Sequence, residues 1–202
     1  LVVGAEIILM LPHRGEWILG GWDPGVYIHQ GILLERRGSL VPEPDPLFEA
    51  LQPDEVALFT RPEYGSWMAL PTVPLDPVQR KFEPFFPHGF PAWIARVYRC
   101  MGLRGALRAN HFAAWLALLL MAPAARSLGL SRRAAGFATA ALAAHPVFIH
   151  HTAFPTSELL QLALISGMAV LWAHRRAAGP SLGLAALMGL SVVVRPSFLP
   201  LG

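Results

Sequence analysis

Polar and apolar positions divide this chain sharply in two. From Gly20 to about Arg104 it is polar, rich in proline and aromatics, and from Gly105 onward it is a series of apolar segments. The candidate segments are about 105–125, 134–149, 156–173 and 179–199. Each approaches the roughly 20 residues that a tilted membrane helix needs. None has the broad polar face of a surface helix, which argues for membrane helices over buried helices of a large soluble core. Residues 1–12, LVVGAEIILMLP, are too short to span a bilayer. They are expected to be the outer end of a first span over 1–19, with the chain the N-terminal part of a longer protein.

The polar part reads as helix, loop, helix. In GGWDPGVYIHQGILLERRGSL, Asp23 suits the N-cap, Pro24 the first helical position and Gly38 the stop, predicting a helix over about 24–37. Its apolar residues, Val26, Tyr27, Ile28, Ile32, Leu33 and Leu34, form no single stripe, so the helix is expected to touch more than one neighbour. Residues 39–82 carry many prolines and acids with short strand-like pieces such as SWMAL. A second helix is expected in 86–102. The fold expected is thus an all-α integral membrane protein: a polytopic helical bundle with a long external first loop, 20–104, bearing short interfacial helices, followed by four transmembrane helices in 105–202.

Composition agrees. Hydrophobic residues make up 54 % and charged residues 14 %, against roughly 25 % charged in ordinary soluble domains. A formal net charge of +3, without arginines interleaved with aromatics, gives no case for nucleic acid. A lone cysteine, Cys100, excludes an internal disulfide framework and any CxxC motif. Short connections set the orientation. Arg126, Arg132, Arg133, Arg175 and Arg176 lie on two of them, and the third, 150–158, has no Lys or Arg. By the positive-inside rule the arginine loops are cytoplasmic and 150–158 is external, as is the long 20–104 region, which is exempt by its length.

Candidate chemistry gathers at that outer face. P-loop, zinc-protease, serine-hydrolase and EF-hand motifs are absent. Asp23 before Pro24 is a routine helix cap on local grounds alone, and a carboxylate beside the membrane surface is also a candidate general base. In QRKFEPFFPHGFPAW, Arg80, Lys81, Glu83 and His88 lie among aromatics. Such a stretch is either an interfacial belt or a rigid turn presenting cations to a phosphate. Arg96, Arg99, Arg104 and Arg108 follow at helical spacings. In HPVFIHHTAFPTSE, a histidine pair and Glu158 have metal-ligand chemistry without a firm spacing template. Arg195 ends an apolar stretch, as a snorkelling or cavity-facing arginine does.

Taken in order, four stretches resemble the GT-C class of integral-membrane glycosyltransferases, which includes polyprenyl-phosphate-sugar-dependent mannosyl- and aminoarabinosyltransferases. They are GGWDPGVYIHQGILLERRGSL, EPFFPHGFPAWIARVYRCMGLRGALRAN, AAHPVFIHHTAFPTSELLQLAL and GLSVVVRPSFLP. The resemblance implies an essential acid in the first external loop, matched by Asp23, and a lipid-phosphate-linked sugar donor. It also implies an active site at the outer face of a membrane, here expected to be a bacterial inner membrane, and inversion at the anomeric carbon. On that expectation Asp23 is the catalytic base, and Arg80, Lys81 and Arg96 hold the donor phosphate. Tyr27, Glu83, His88 and Glu158 would contact substrate. Many members pair the first acid with a second in a metal site. Pro24 and Gly25 follow Asp23 here, which leaves a divalent metal open, with Asp23, His150, His151 and Glu158 as candidate ligands. Donor and membrane lipids are the expected partners. The rival readings are a lipid-binding transporter or flippase-like protein and a non-catalytic envelope scaffold.

Overall fold

The computed structural model describes residues 23–39, 86–175 and 178–196, together with short stretches between 50 and 82. The expected span over 1–19, Arg80 and Glu83 lie outside the described residues. Seven helices and four short strands are present among those described.

Helix α1, Asp23–Arg37, begins on Asp23 itself, one residue before the expected start. Pro24 pre-sets the first turn, and Asp23 at one end with Arg36 and Arg37 at the other complement the helix dipole. Gly38 stops it in the left-handed region at φ 66°, its N–H donating to the Leu34 carbonyl at 2.9 Å. Helix α2, Gly89–Ala106, lies along α1. The two approach so closely that a Cβ on Gly31 would stand 2.5 Å from Ile94. Ile28, Phe90 and Ile94 are fully buried between them. Arg36 donates to the Tyr98 hydroxyl at 3.0 Å, and Arg99 faces Glu35 at 3.7 Å.

Between α1 and α2 the chain makes a small antiparallel meander of β1 (Arg61–Glu63), β2 (Ser66–Leu70), β3 (Val73–Asp76) and β4 (Lys81–Phe82), in that order. The SWMAL piece is β2. The meander is confined to the segment between α1 and α2, and the rest of the described fold is helical. Prolines at 62, 71, 74, 77 and 84 remove N–H donors that a helix needs, leaving only short extended pairings.

The apolar half is a helical bundle whose breaks differ from those expected. Helix α3, Ala109–Ser127, follows α2 across a 114° bend. Helix α4, Arg132–Ala143, is capped by the Ser131 hydroxyl, which accepts from Ala134 N–H at 3.2 Å. Helix α5, Pro146–Ala153, opens on Pro146, and the His145 ring accepts from Val147 N–H at 3.3 Å. The expected single helix over 134–149 is thus split, because Pro146 lacks the N–H that would continue α4 and suits a new first turn. His150 and His151 are helical, so the connection expected over 150–158 shrinks to 154–157. Helix α6, Glu158–Ala173, meets α5 at 118°. Helix α7 is Ala178–Val194.

Helices α3 and α7 both pack on α6, and α4 packs on α3. Alanines 113, 114 and 117 are fully buried on α3, small residues that let helix backbones approach. Ser127 donates to the Ala169 carbonyl of α6 at 3.0 Å. Among the described residues no single helix is long and apolar enough to cross a membrane. The bent pairs α2–α3 and α5–α6 each reach that length and composition together.

Candidate functional site

Asp23 opens α1, and Tyr27 follows one turn later on the same face. The Tyr27 ring is clamped by the aromatic segment before and within the start of α2. It stacks on Phe86 at 4.4 Å between centroids and meets Phe90 edge-on at 5.0 Å. Tyr27 is 6 % exposed, so the clamp fixes where its hydroxyl points.

That hydroxyl meets groups from three further elements. It shares a hydrogen bond with the Ser157 side chain and feels the charges of Glu158, Asp23 and Arg195. Burial pushes the Tyr27 phenol above its ordinary value, and the Glu158 and Asp23 carboxylates push the same way, against Ser157 and Arg195. Residues from the start of α1, the 154–157 bend, the start of α6 and the end of α7 therefore converge on one spot. In sequence they span positions 23 to 195.

Glu158 is the first residue of α6, directly after the 154–157 bend. Its Oε1 accepts from Arg195 at 2.8 Å, and both side chains are roughly half-exposed. Burial opposes ionisation of Glu158. The Thr156 hydroxyl, a backbone N–H and Arg195 outweigh it and hold the carboxyl below its ordinary value. The bend is fastened from beneath. Asn110, 1 % exposed, donates through Nδ2 to the carbonyls of His151 at 2.8 Å and Phe154 at 2.7 Å. His151 Nδ1 lies 3.2 Å from the Thr156 hydroxyl, and the His150 ring stacks on Phe154 at 5.3 Å. Trp93 of α2 donates to the Ala109 carbonyl at 2.9 Å, beside Asn110.

Of the expected site residues, Asp23, Tyr27 and Glu158 come together. His88 is exposed at the start of α2, where its side chain makes no capping bond and its carbonyl accepts from Ala92 N–H. Arg96 is exposed on α2 and is not among the charges acting on Tyr27 or Glu158. Lys81 lies in β4. His150 and His151 engage Phe154 and Thr156, and among the described residues no three His, Cys, Asp or Glu side chains form a group able to hold a metal ion. Ser157 and Asn110 carried no signal in the sequence. Serine and asparagine are common, and their partners are distant.

The arrangement offers a carboxylate beside a fixed phenol–hydroxyl pair and a guanidinium–carboxylate pair. It can orient a hydroxyl-bearing ligand and accept its proton. The chain matches no family model, no curated protein and no solved structure.

Proposed function

We propose that this chain is a membrane glycosyltransferase of the GT-C kind, moving a sugar from a polyprenyl-phosphate donor to an acceptor hydroxyl at the outer face of a bacterial inner membrane. The observation that carries this reading is the meeting of Asp23 and Tyr27 with Ser157, Glu158 and Arg195 at the ends of apolar helices. Large apolar side chains point outward from the helices of the bundle: Phe137 is 76 % exposed, Leu182 73 % and Leu119 60 %. A surface of this kind fits lipid better than water. In the proposed reaction the acceptor oxygen bonds to the anomeric carbon as the carbon–phosphate-oxygen bond breaks. The acceptor proton goes to Asp23, and the bond pair leaves with the lipid phosphate. Arg80, Lys81 and Arg96 remain the proposed cations for that phosphate.

A second reading has its own support. Transporters build sites on discontinuous helices, and two helix pairs here are bent by 114° and 118°. The polar cluster lies at helix ends rather than mid-helix, which favours transfer. Full-length protein in liposomes, given radiolabelled polyprenyl-phosphate-mannose and a bacterial membrane extract as acceptor, separates the two. Transfer that falls about 10²–10⁴-fold in Asp23→Asn supports the base. Movement of the donor between leaflets, with no transfer product, would establish the transporter.

A further inference from the structure

Beneath the Glu158–Arg195 pair two buried polar side chains have no hydrogen-bond partner among the described residues. Gln161 is 7 % exposed, and neither Oε1 nor Nε2 makes a hydrogen bond; Ser191 is fully buried and its Oγ makes none. Helix register relates the two. Helices α6 and α7 run antiparallel, with Leu171 against Gly183 and Leu187 against Gly167. Extended outward, that register sets Ser191 level with Ala163 and brings Glu158 to Arg195, where the ion pair is found. Gln161 lies one turn inward of Glu158, and Ser191 lies one turn inward of Arg195, whose N–H donates to the Ser191 carbonyl at 2.8 Å. Both orphans thus lie at a similar depth, about 4.5–6 Å below the ion pair at 1.5 Å per residue.

A buried amide left without hydrogen bonds is costly, and native proteins keep few such groups. Leu160 and Leu162 flank Gln161, so a residue of similar size without the cost is the local norm. The available chemistry is specific. An amide and a hydroxyl are neutral, and together they both donate and accept. A phosphate would call for donors alone and an ammonium for acceptors alone. Neighbouring hydroxyls, which do both, match the set.

We infer that Gln161 and Ser191 form a subsite for the hydroxyl groups of a glycoside. The inference rests on the glycosyl-transfer reading for the identity of the hydroxylated group, and on the orphaned atoms for its place. The probe is n-octyl β-D-glucopyranoside, used below its micellar concentration with the full chain in phosphatidylcholine nanodiscs. Octyl tetraoxyethylene ether, with the same tail and no sugar, is the control. Hydrogen exchange of peptides covering 158–166 and 187–195 should be slowed saturably by the glucoside and not by the ether. Gln161→Leu and Ser191→Ala should each raise the ligand-free melting temperature, because an orphan is removed. Each should also weaken the glucoside effect about tenfold or more, as loss of a hydroxyl partner does. Equal protection by both probes, no protection, an unchanged glucoside affinity in Gln161→Leu, or a lowered melting temperature would each overturn the subsite. Binding needs no turnover, so Asp23→Asn should retain it. Glucoside protection without any sugar transfer by the wild type would retire the transfer reading and leave the subsite standing.

Discussion

Asn110 donates to the Phe154 carbonyl at 2.7 Å, joining two breaks in the helical bundle that lie 44 residues apart. Asn110 sits just past the bend between α2 and α3, and Phe154 begins the bend between α5 and α6. The same amide nitrogen reaches His151 at 2.8 Å, so one side chain gives a short bond to two carbonyls whose other donors, the Phe154 N–H and the Thr156 hydroxyl, each stand at 3.4 Å. The bend that presents Thr156, Ser157 and Glu158 to Tyr27 is thereby set from α3.

Replacing Asn110 with Leu should therefore cost about 0.5–1.5 kcal/mol for each of the two hydrogen bonds lost. Urea or thermal unfolding in detergent measures the loss. Asn110→Asp should be no better, since a carboxylate offers no hydrogen to either carbonyl. Stability within about 0.5 kcal/mol of wild type, the range of ordinary surface substitutions, would mean that the latch is not formed.

Tyr27 gives a spectroscopic test. The chain has three tyrosines, at 27, 64 and 98. Burial and the nearby carboxylates lift the Tyr27 phenol above its usual 10.0. A raised folded-state value favours the neutral form, so the stabilisation is whole below pH 10 and is lost as pH climbs through the folded-state value. Alkaline titration followed at 295 nm should show one phenol ionising late, and Tyr27→Phe should remove that last step. Retention of the late step in Tyr27→Phe would assign it to another tyrosine.

For Glu158 the sign is opposite. Its folded-state value lies below the ordinary 4.5, so its contribution is complete above that pH and disappears as pH falls through the folded-state value. Glu158→Gln should flatten the stability profile on the acid side of pH 4.5. At pH 7 a double-mutant cycle with Arg195→Gln should return a coupling of only about 0.2–1 kcal/mol, since both partners are partly in solvent. A coupling of several kcal/mol would mean the pair is sealed off.

Gly31 within α1 and Gly38 just after it separate packing from backbone conformation. A Cβ at Gly31 meets Ile94 side-chain atoms at 2.5 and 2.6 Å and the Pro91 carbonyl at 3.0 Å, so Gly31→Ala should force α1 from α2 at a cost of about 1–3 kcal/mol. A Cβ at Gly38 meets nothing within 4 Å, but φ there is 66°. Gly38→Ala should cost about 1–2 kcal/mol, and Gly38→Asn should recover part of it because asparagine tolerates that region. Thermal melts of the three variants decide, and equal losses for Ala and Asn at position 38 would remove the conformational explanation.

How far the sequence spoke for itself depended on the range of each interaction. Pro24 and Gly38 bracket α1 to within a residue, because caps and stops are local chemistry. The extended SWMAL piece is likewise local. Pro146 carried a signal for the break before α5, which the apolar run 134–149 outweighed in a reading by hydropathy. The Asn110 latch was illegible for a different reason: its partners are backbone carbonyls, which every residue has. Asp23, Tyr27, Glu158 and Arg195 each stood out singly. What gathers them is the packing of α1 on α2 and of α7 on both α2 and α6, a tertiary fact that no spacing encodes.

The last test concerns the membrane itself. Arg126, Arg132, Arg133 and Arg175 stand at the ends of α3, α4 and α6 away from Glu158 and Arg195, and Arg176 follows in the sequence. If those ends face the cytoplasm, the Asp23 cluster faces outward. Gln52→Cys and Leu130→Cys occupy positions exposed to solvent on the two proposed sides. Each is to be made in a Cys100→Ser background, since Cys100 is itself free and exposed. In intact spheroplasts a membrane-impermeant maleimide should label position 52 and leave position 130 unlabelled until the cells are lysed. Labelling of both before lysis, or of position 130 alone, would break the link between the arginine loops and the cytoplasm. The proposed donor at the outer face would then lose its topological ground, whatever Asp23 does to the chemistry.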